Sequence, residues 1–456
     1  MIPQKFKERM RALLGVEYDN FILALEEKDA VRGVRENLIK SKNGALERIM
    51  GDKLIPLDYV ENGWIFDGAE AVGNHPAHHA GIMYMQDPGA MSTVAAIDIE
   101  PSWWVLDTCA APGGKSSQIA EKLSEDGFLL SNEYVPKRAK IIVGNFERLG
   151  VKGAIITSLD TAELRKMYKE VFDLALVDAP CSGEGMFRKS EDALTEWSEE
   201  NVALCAKRQG EILDNVAPTV KGGGFILYST CTYSLEENEM TVDAFLNRHP
   251  EFELTKVKDE VSRATADGIN YQGCKTENIH LTRRFYPHKR QGEGQFIALM
   301  RKKNSENMQT FLYKDAAKPL SKEEKVVIEK FFDENLTYTP KGRLVKVGEN
   351  PVLILHGCPL PPRSVFMSGV LLGEIRSGIL HPSHQLFTAL GENFKLCEEL
   401  GNDPQRLTAY LKGEEIPSRN AGRGYVVLTY EGVSLGGGKL SGGRIKNHYP
   451  KGLRNK

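Results

Sequence analysis

The chain has 456 residues, room for about three domains. Its 41% hydrophobic and 27% charged residues suit an ordinary globular protein, no run approaches the roughly 18 apolar residues of a membrane span, and residues 1–7 lack the apolar core of a signal peptide. A net charge of −3 neither demands nor excludes a polyanionic partner, and seven scattered cysteines argue against a disulfide framework, so a cytoplasmic protein with reduced thiols is expected.

Residues 1–70 read as a small α/β unit, with helical periodicity at 2–14 and 19–27 and short strands at 30–35 and 64–66. Lysine and arginine exceed acids six to three between 32 and 53, which permits contact with a polyanion. His75, His78 and His79 come next, followed by Ile82, Met83, Tyr84 and Met85. No cysteine or carboxylate cluster accompanies the histidines at ligand spacing, so no metal is expected. The segment is either an aromatic and methionine wall beside a cofactor pocket or plain core packing.

From Trp103 onward, apolar runs at 103–107, 128–133, 153–158, 171–178, 223–229 and 294–300 alternate with helical stretches, notably 136–149, 199–219 and 236–248. Strands that are apolar nearly throughout, alternating with helices, predict a largely parallel sheet covered on both faces. Ligands in such folds sit at the carboxyl ends of the strands.

The first run ends in residues 107–118, Asp-Thr-Cys-Ala-Ala-Pro-Gly-Gly-Lys-Ser-Ser-Gln, ahead of a helical stretch at 119–123. Glycines permit close backbone approach, and the new helix offers unpaired N–H groups. Gly114-Lys115-Ser116 has the ending of a P-loop, but Cys109 stands where that motif needs its first glycine, and the Gly113-Gly114 pair is not a dinucleotide fingerprint. The second run ends about 20 residues on in Asn132-Glu133, the spacing of a carboxylate that accepts from ribose hydroxyls. The fourth run ends in Asp178-Ala179-Pro180-Cys181 and the fifth in Ser229-Thr230-Cys231-Thr232. Each cysteine alone reads as a small buried apolar residue. Together, after neighbouring strands, they would converge with Asp178 and the glycine loop on one pocket.

Residues 302–307 are polar and mark a boundary, after which helical and strand patterns mix up to 373. The last segment carries Gly378-Ile379-Leu380-His381-Pro382 and Gly424-Tyr425-Val426-Val427-Leu428-Thr429, and residues 422–443 are glycine-rich enough to read as β-turns. Basic residues outnumber acids eight to one over 419–456 and seven to one over 283–303, two stretches suited to gripping a polyanion.

The loop at 107–118, residues 178–185 (Asp-Ala-Pro-Cys-Ser-Gly-Glu-Gly), Ser229-Thr230-Cys231-Thr232 and Asn145-Phe146-Glu147-Arg148-Leu149-Gly150 together resemble the motifs of the S-adenosylmethionine-dependent RNA cytosine-C5 methyltransferases, over about 70–302. Gly436-Gly437-Gly438-Lys439 and the tail at 446–454 resemble the bacterial branch that acts on small-subunit (16S) ribosomal RNA. DNA cytosine methyltransferases share only a Pro-Cys nucleophile with this chain, whereas the RNA family places its nucleophile in the Thr-Cys motif. The resemblance implies an α/β fold: a Rossmann-like class I methyltransferase domain at 71–303, an N-terminal α/β RNA-binding domain at 1–70, a linking α/β segment at 304–373 and a PUA-like β-barrel RNA-binding domain at 374–456. An unspecified all-β cap is the other reading of that last segment.

By the same resemblance, a methyl group passes from S-adenosylmethionine to C5 of a 16S rRNA cytosine through a covalent adduct of Cys231 with C6. Cys181 assists release, and Asp178 hydrogen-bonds the N3/N4 edge of the base. The cofactor falls to Cys109, Ala110, Ala111, Pro112, Gly113, Gly114, Lys115, Glu133, Arg138, Asp160 and Asp178, with Asn132 standing where many relatives have an acid. Phe187 and Arg188 either hold substrate or serve capping and packing. The expected partner is ribosomal RNA or the 30S subunit, and a monomer is expected. Two rivals stand beside this reading: a transfer RNA m5C methyltransferase, and a non-catalytic RNA-binding ribosome-assembly factor. Cys181, Cys231 and Asp178 together argue against the second.

Overall fold

Apolar residues in the strands from Trp104 onward alternate between two cores. Leu106, Leu130, Ile155, Ala175, Val177, Ile226 and Tyr228 enter one, while Val105, Leu129, Ile156, Leu174, Leu176 and Leu227 enter the other. A period of two with both phases apolar is what a sheet buried on both faces requires. The computed structural model of the chain describes residues 2–27, 29–41, 44–69, 71–305 and 309–455. Glu306 and Asn307 of the polar boundary and Lys456 of the basic tail lie outside the described residues.

The labelled helices are α1 (Gln4–Leu14), α2 (Tyr18–Glu26), α3 (Pro88–Ala95), α4 (Gly114–Ala120), α5 (Pro136–Leu149), α6 (Thr161–Met167), α7 (Glu199–Val216) and α8 (Glu239–Arg248). The principal strands are β1 (Trp104–Asp107), β2 (Phe128–Asn132), β3 (Ala154–Thr157), β4 (Phe172–Asp178), β5 (Val220–Thr230) and β6 (Gln295–Lys302). They lie in the order β6-β5-β4-β1-β2-β3 within a 10-stranded sheet. Strands β1 to β5 run parallel and β6 is antiparallel to β5. Helices α6, α7 and α8 cover one face and α3, α4 and α5 the other. The order reverses between β1 and β4, so the loops after these two strands open onto the cleft where α/β sheets bind ligands.

Local signals fix the helix ends. Pro136 opens α5, where its missing N–H costs nothing, and Gly150 closes it at φ 73°. Gly113 stands at φ 109° as the cap of α4, so this helix starts inside the glycine loop, earlier than the apolar pattern at 119–123 indicates.

An antiparallel sheet of Leu54–Pro56, Gly63–Phe66, Gly33–Glu36 and Met83–Met85 precedes the central one. Helices α1 and α2 leave that sheet and pack Phe6, Met10 and Phe21 against Phe187, Trp197, Tyr233 and Tyr286. The last segment forms an open, curled half-barrel of five strands. Gly436, Gly437 and Gly438 are in its strand Val433–Ser441 and are not the β-turns that glycine content indicates. The reason is close approach: a Cβ on Gly437 would lie 2.3 Å from the ring of Phe387, which packs flat on the strand.

The histidine segment joins the two ends of the chain. His79 bonds the Tyr449 hydroxyl at 2.8 Å and the Asn455 side chain at 3.0 Å, while Ile82 and Met83 enter a core shared with Leu400, Leu435 and Ile445. Tyr84 borders the glycine loop, 3.2 Å from where a Gly114 Cβ would be, with Gln86 beside it at 3.6 Å. Lys40 donates to the carbonyls of Ala80, Arg148 and Ser434, tying the N-terminal, central and C-terminal regions together. Among the described residues, no helix is long and apolar enough to cross a membrane.

Candidate active site at the strand ends

Strands β4 and β5 are neighbours, with Ser229 paired to Asp178. Each chain then turns over the sheet edge, and the two cysteine sulfurs meet 3.3 Å apart. Both thiols keep partial exposure. The hydrogen bond to Cys231 comes first in pushing the Cys181 thiol well up, with burial and the charges of Cys231 and Glu237 adding to it, which favours a protonated Cys181.

Lys115 enters from the glycine loop of β1. Its ammonium donates to Asp178 Oδ2 at 2.8 Å. Burial pulls this ammonium down, but Asp178, and beyond it Cys231 and Asp107, outweigh burial and hold it above its ordinary value. The cation at the cysteine pair's end of the sheet is therefore a residue that motif position assigns to the cofactor loop.

Side chains of α5 hold the loop itself from outside. Arg138 donates to the Ala111 carbonyl at 3.1 Å and Asn145 to the Pro112 carbonyl at 2.8 Å. The Ala110 N–H bonds the Asn132 carbonyl at 2.9 Å. Asn132 is fully occupied: its amide donates to the Thr108 and Leu159 carbonyls and accepts from Thr157 and the Leu159 N–H. It ties three strand ends together and offers nothing to a ligand, which leaves Glu133 as the carboxylate at this position. Glu133 takes one hydrogen bond at Oε1 from the Val135 N–H at 2.9 Å, and Arg138 lies 3.6 Å from its other oxygen. Asp160 caps α6 through the Ala162 N–H at 2.8 Å and is exposed.

Asp107, Asp178 and Glu133 all act electrostatically on Cys109, whose thiol burial pushes up to about 12. Three carboxyls thus surround one loop, with Lys115 on Asp178 and Arg138 beside Glu133. Asp107 is 1% exposed; Ser116 donates to its Oδ2 at 2.6 Å, while Oδ1 has no well-aligned hydrogen-bond partner among the described residues. Burial pushes this carboxyl up to about 7. Because the folded value lies above the unfolded one near about 4, the associated stability is complete below pH 4 and is lost as pH climbs through 7. Up to about 4 kcal/mol is at stake. Raising the pH from 5 to 8 is thus expected to lower the thermal midpoint of the wild type more than that of Asp107→Asn, and equal slopes would refute the burial of this charge.

Phe187 and Arg188 belong to the packing. The Phe187 ring meets Phe6 edge-on at 5.0 Å, and Arg188 bonds Glu293 at 3.0 Å and the Gly292 carbonyl at 2.9 Å. Motif reading misses four residues behind the cysteines. Glu184 and Glu237 cross between the two cysteine loops, and Arg284 forms a buried bidentate pair with Glu239 and donates to the Tyr233 carbonyl at 2.8 Å. Their only sequence signal is nearness to the cysteine motifs or a charge within an apolar strand.

Strand order, the glycine loop after β1 and the cysteine pair over β4 and β5 define an α/β methyltransferase of the two-cysteine kind. Residues 94–301 match the family model described as 16S rRNA methyltransferase RsmB/F, residues 2–88 the N-terminal domain of 16S rRNA methyltransferase RsmF, and residues 398–455 the methyltransferase RsmF PUA domain. Ribosomal RNA small subunit methyltransferase F of Vibrio vulnificus is 30% identical over 475 residues, covering 99% of this chain and 97% of the relative. Its counterpart in Klebsiella pneumoniae is 31% identical, covering 99% and 96%. Among solved structures, a methyltransferase homolog protein from Pyrococcus horikoshii superposes with a TM-score of 0.55 at 26% identity, over 66% of this chain and 95% of that one. NSun6 from the same organism, with SFG, shares the fold at a TM-score of 0.55 and 21% identity, over 66% and 99%. The chain belongs to the RsmB/F family of 16S ribosomal RNA cytosine methyltransferases.

Proposed function

We propose that this enzyme methylates C5 of cytosine in 16S ribosomal RNA through a covalent Cys231–C6 adduct, with S-adenosylmethionine as the methyl source. The observation that carries the mechanism is the 3.3 Å sulfur pair beside the Lys115–Asp178 contact, on the same sheet edge as the glycine loop. The residues present fit the cofactor: Asp107 leaves a buried oxygen without a well-aligned partner among the described residues, Glu133 has a backbone donor at one oxygen, and three carboxyls surround the loop. Residues 109–115, Glu133, Arg138, Asp160 and Asp178 would hold it. When bound, it supplies a methyl group on a positively charged sulfur.

Cytosine C5 is a poor nucleophile until C6 is attacked. Cys231 adds its sulfur to C6, and the ring electrons move to C5, which becomes enamine-like and able to take a methyl group. Asp178 hydrogen-bonds the N3/N4 edge and stabilises the charged ring. Water then takes the C5 proton, the C5–H electron pair restores the C5–C6 double bond as the C6–sulfur bond breaks, and the Cys181 thiol donates a hydrogen bond to the departing Cys231 thiolate. A cytosine inside a duplex cannot reach these groups, so the target is single-stranded or flipped out, at a cost of a few kcal/mol. Arg283, Arg284 and Lys302 are buried in ion pairs, so the phosphate contacts that would offset that cost fall to the exposed Lys289, Arg290, Arg301 and Lys303 and to the basic stretch at 419–455. In this reading residues 1–70 and 374–456 are RNA-binding units flanking a catalytic domain at 71–303, joined through 304–373, and the enzyme works as a monomer in the cytoplasm.

Bisulfite sequencing of total RNA from cells with and without the protein tests the substrate. Loss of signal at a cytosine of 16S rRNA is expected. Loss confined to transfer RNA would overturn the substrate, and no loss at all would overturn the activity.

A further inference from the structure

The two cysteine loops grip each other through a reciprocal pair of buried carboxylates. Glu184, from the Cys181 loop, reaches the Cys231 loop: its Oε2 accepts from the Thr232 hydroxyl at 2.8 Å and the Tyr233 N–H at 2.9 Å, and its Oε1 accepts from the Trp197 indole at 2.9 Å. Glu237 returns the grip. It accepts from the Ser182 N–H at 3.0 Å, the Ser182 hydroxyl at 2.5 Å and the Gln209 amide at 2.9 Å. The Ser182 and Thr232 hydroxyls meet at 2.9 Å, and the Gly185 N–H donates to the Cys231 carbonyl at 2.8 Å. Both carboxylates are 0% exposed, and their hydrogen bonds among the described residues come from neutral donors. Burying two carboxyls without a cationic hydrogen-bond partner is costly in stability, and what the chain obtains is a fixed separation between two loops.

We propose that Glu184 and Glu237 are positioning residues that set the Cys181–Cys231 sulfur separation, and through it the rate at which Cys231 leaves the base. This rests on the reading that both thiols act. A displacement of about 1 Å between reacting groups costs up to about 100-fold in rate. Glu184→Ala and Glu237→Ala are therefore expected to lower kcat about 10- to 100-fold, with KM for RNA and for S-adenosylmethionine within about twofold. The glutamine variants should divide. In Glu237→Gln the amide oxygen can face the Ser182 N–H and Gln209, while the NH2 donates to a Ser182 hydroxyl turned to accept, so activity is retained. In Glu184→Gln one side of the carboxyl must oppose either the Trp197 indole N–H or the Tyr233 N–H, neither of which can accept, so activity falls.

A second measurement reads the geometry without turnover. In the RNA-free protein, diamide is used to oxidise Cys181 and Cys231 to a disulfide, followed by peptide mass spectrometry. The alanine variants and Glu184→Gln should form this bond at least about threefold more slowly than wild type, and Glu237→Gln at the wild-type rate. An unchanged disulfide rate in both alanine variants overturns the proposal whatever turnover does, and Glu237→Gln serves as the control that the loop still folds. A slower disulfide with unchanged turnover would instead overturn the two-thiol mechanism on which the proposal rests.

Discussion

Replacing Cys231 by alanine is expected to lower methyl transfer by about 1,000-fold or more, because the sulfur assigned to the C6 bond is gone and the neighbouring Cys181 thiol is pushed toward its protonated form. The variant should still bind RNA, and its labelled-methyl incorporation into 16S rRNA is the measurement. Cys181→Ser should fail differently. Its sulfur lies 3.3 Å from the nucleophile and is pushed toward its protonated form by the hydrogen bond to Cys231 and by burial. Without that thiol the adduct should form but not resolve, leaving an RNA–protein species that survives a denaturing gel and that Cys231→Ala cannot make. A Cys181→Ser protein that releases RNA as fast as wild type would remove the assignment. If Cys181→Ala lost the adduct and Cys231→Ala accumulated it, the two roles would be exchanged.

Breaking the Arg284–Glu239 pair should have the largest effect on stability. Both side chains are buried, at 2% and 0% exposure. Arg284 Nε donates to Glu239 Oε1 at 2.6 Å, a second guanidinium nitrogen reaches Oε2, and a third donates to the Tyr233 carbonyl two residues past Cys231. The Glu239 charge outweighs the burial penalty and raises the Arg284 guanidinium above its ordinary value. Arg284→Met leaves the carboxylate buried without its partner and should destabilise by about 3–5 kcal/mol. Arg284→Met with Glu239→Leu removes both charges and should recover most of that loss in denaturant unfolding. A double variant as unstable as the single would mean that packing, and not the unpaired charge, sets the cost.

Much of this site is legible in the chain because its signals are local. Strands β1 to β6 announce themselves as apolar runs, since burial on both faces leaves no polar phase to obscure them. Asp178, Cys181 and Cys231 stand just past strand ends, where an α/β sheet puts its chemistry. Pro136 marks a helix start through its fixed φ and missing N–H, whereas the start of α4 at Gly114 lies hidden in the glycine loop. The glycines at 436–438 mislead for an equally physical reason. Composition cannot distinguish a turn that needs positive φ from a strand whose glycines leave room for close neighbours, as Gly437 does for the ring of Phe387 and Gly438 for the side chain of Ile445.

What the order of residues determined by itself was the set of elements and the chemistry at their ends, because periodicity, caps and motifs act over a few residues. Only the tertiary structure decided which of those ends meet. It brought two sulfurs 50 positions apart in sequence to 3.3 Å, turned Lys115 from the cofactor loop onto Asp178, and set α1 and α2 behind the cysteine loops. It also made Glu184 and Glu237, to which the sequence assigned no role, buried ties between those loops. Such contacts depend on strand order and on which face a side chain takes across the sheet. These are set by burying the whole apolar surface at once, a property no local stretch carries.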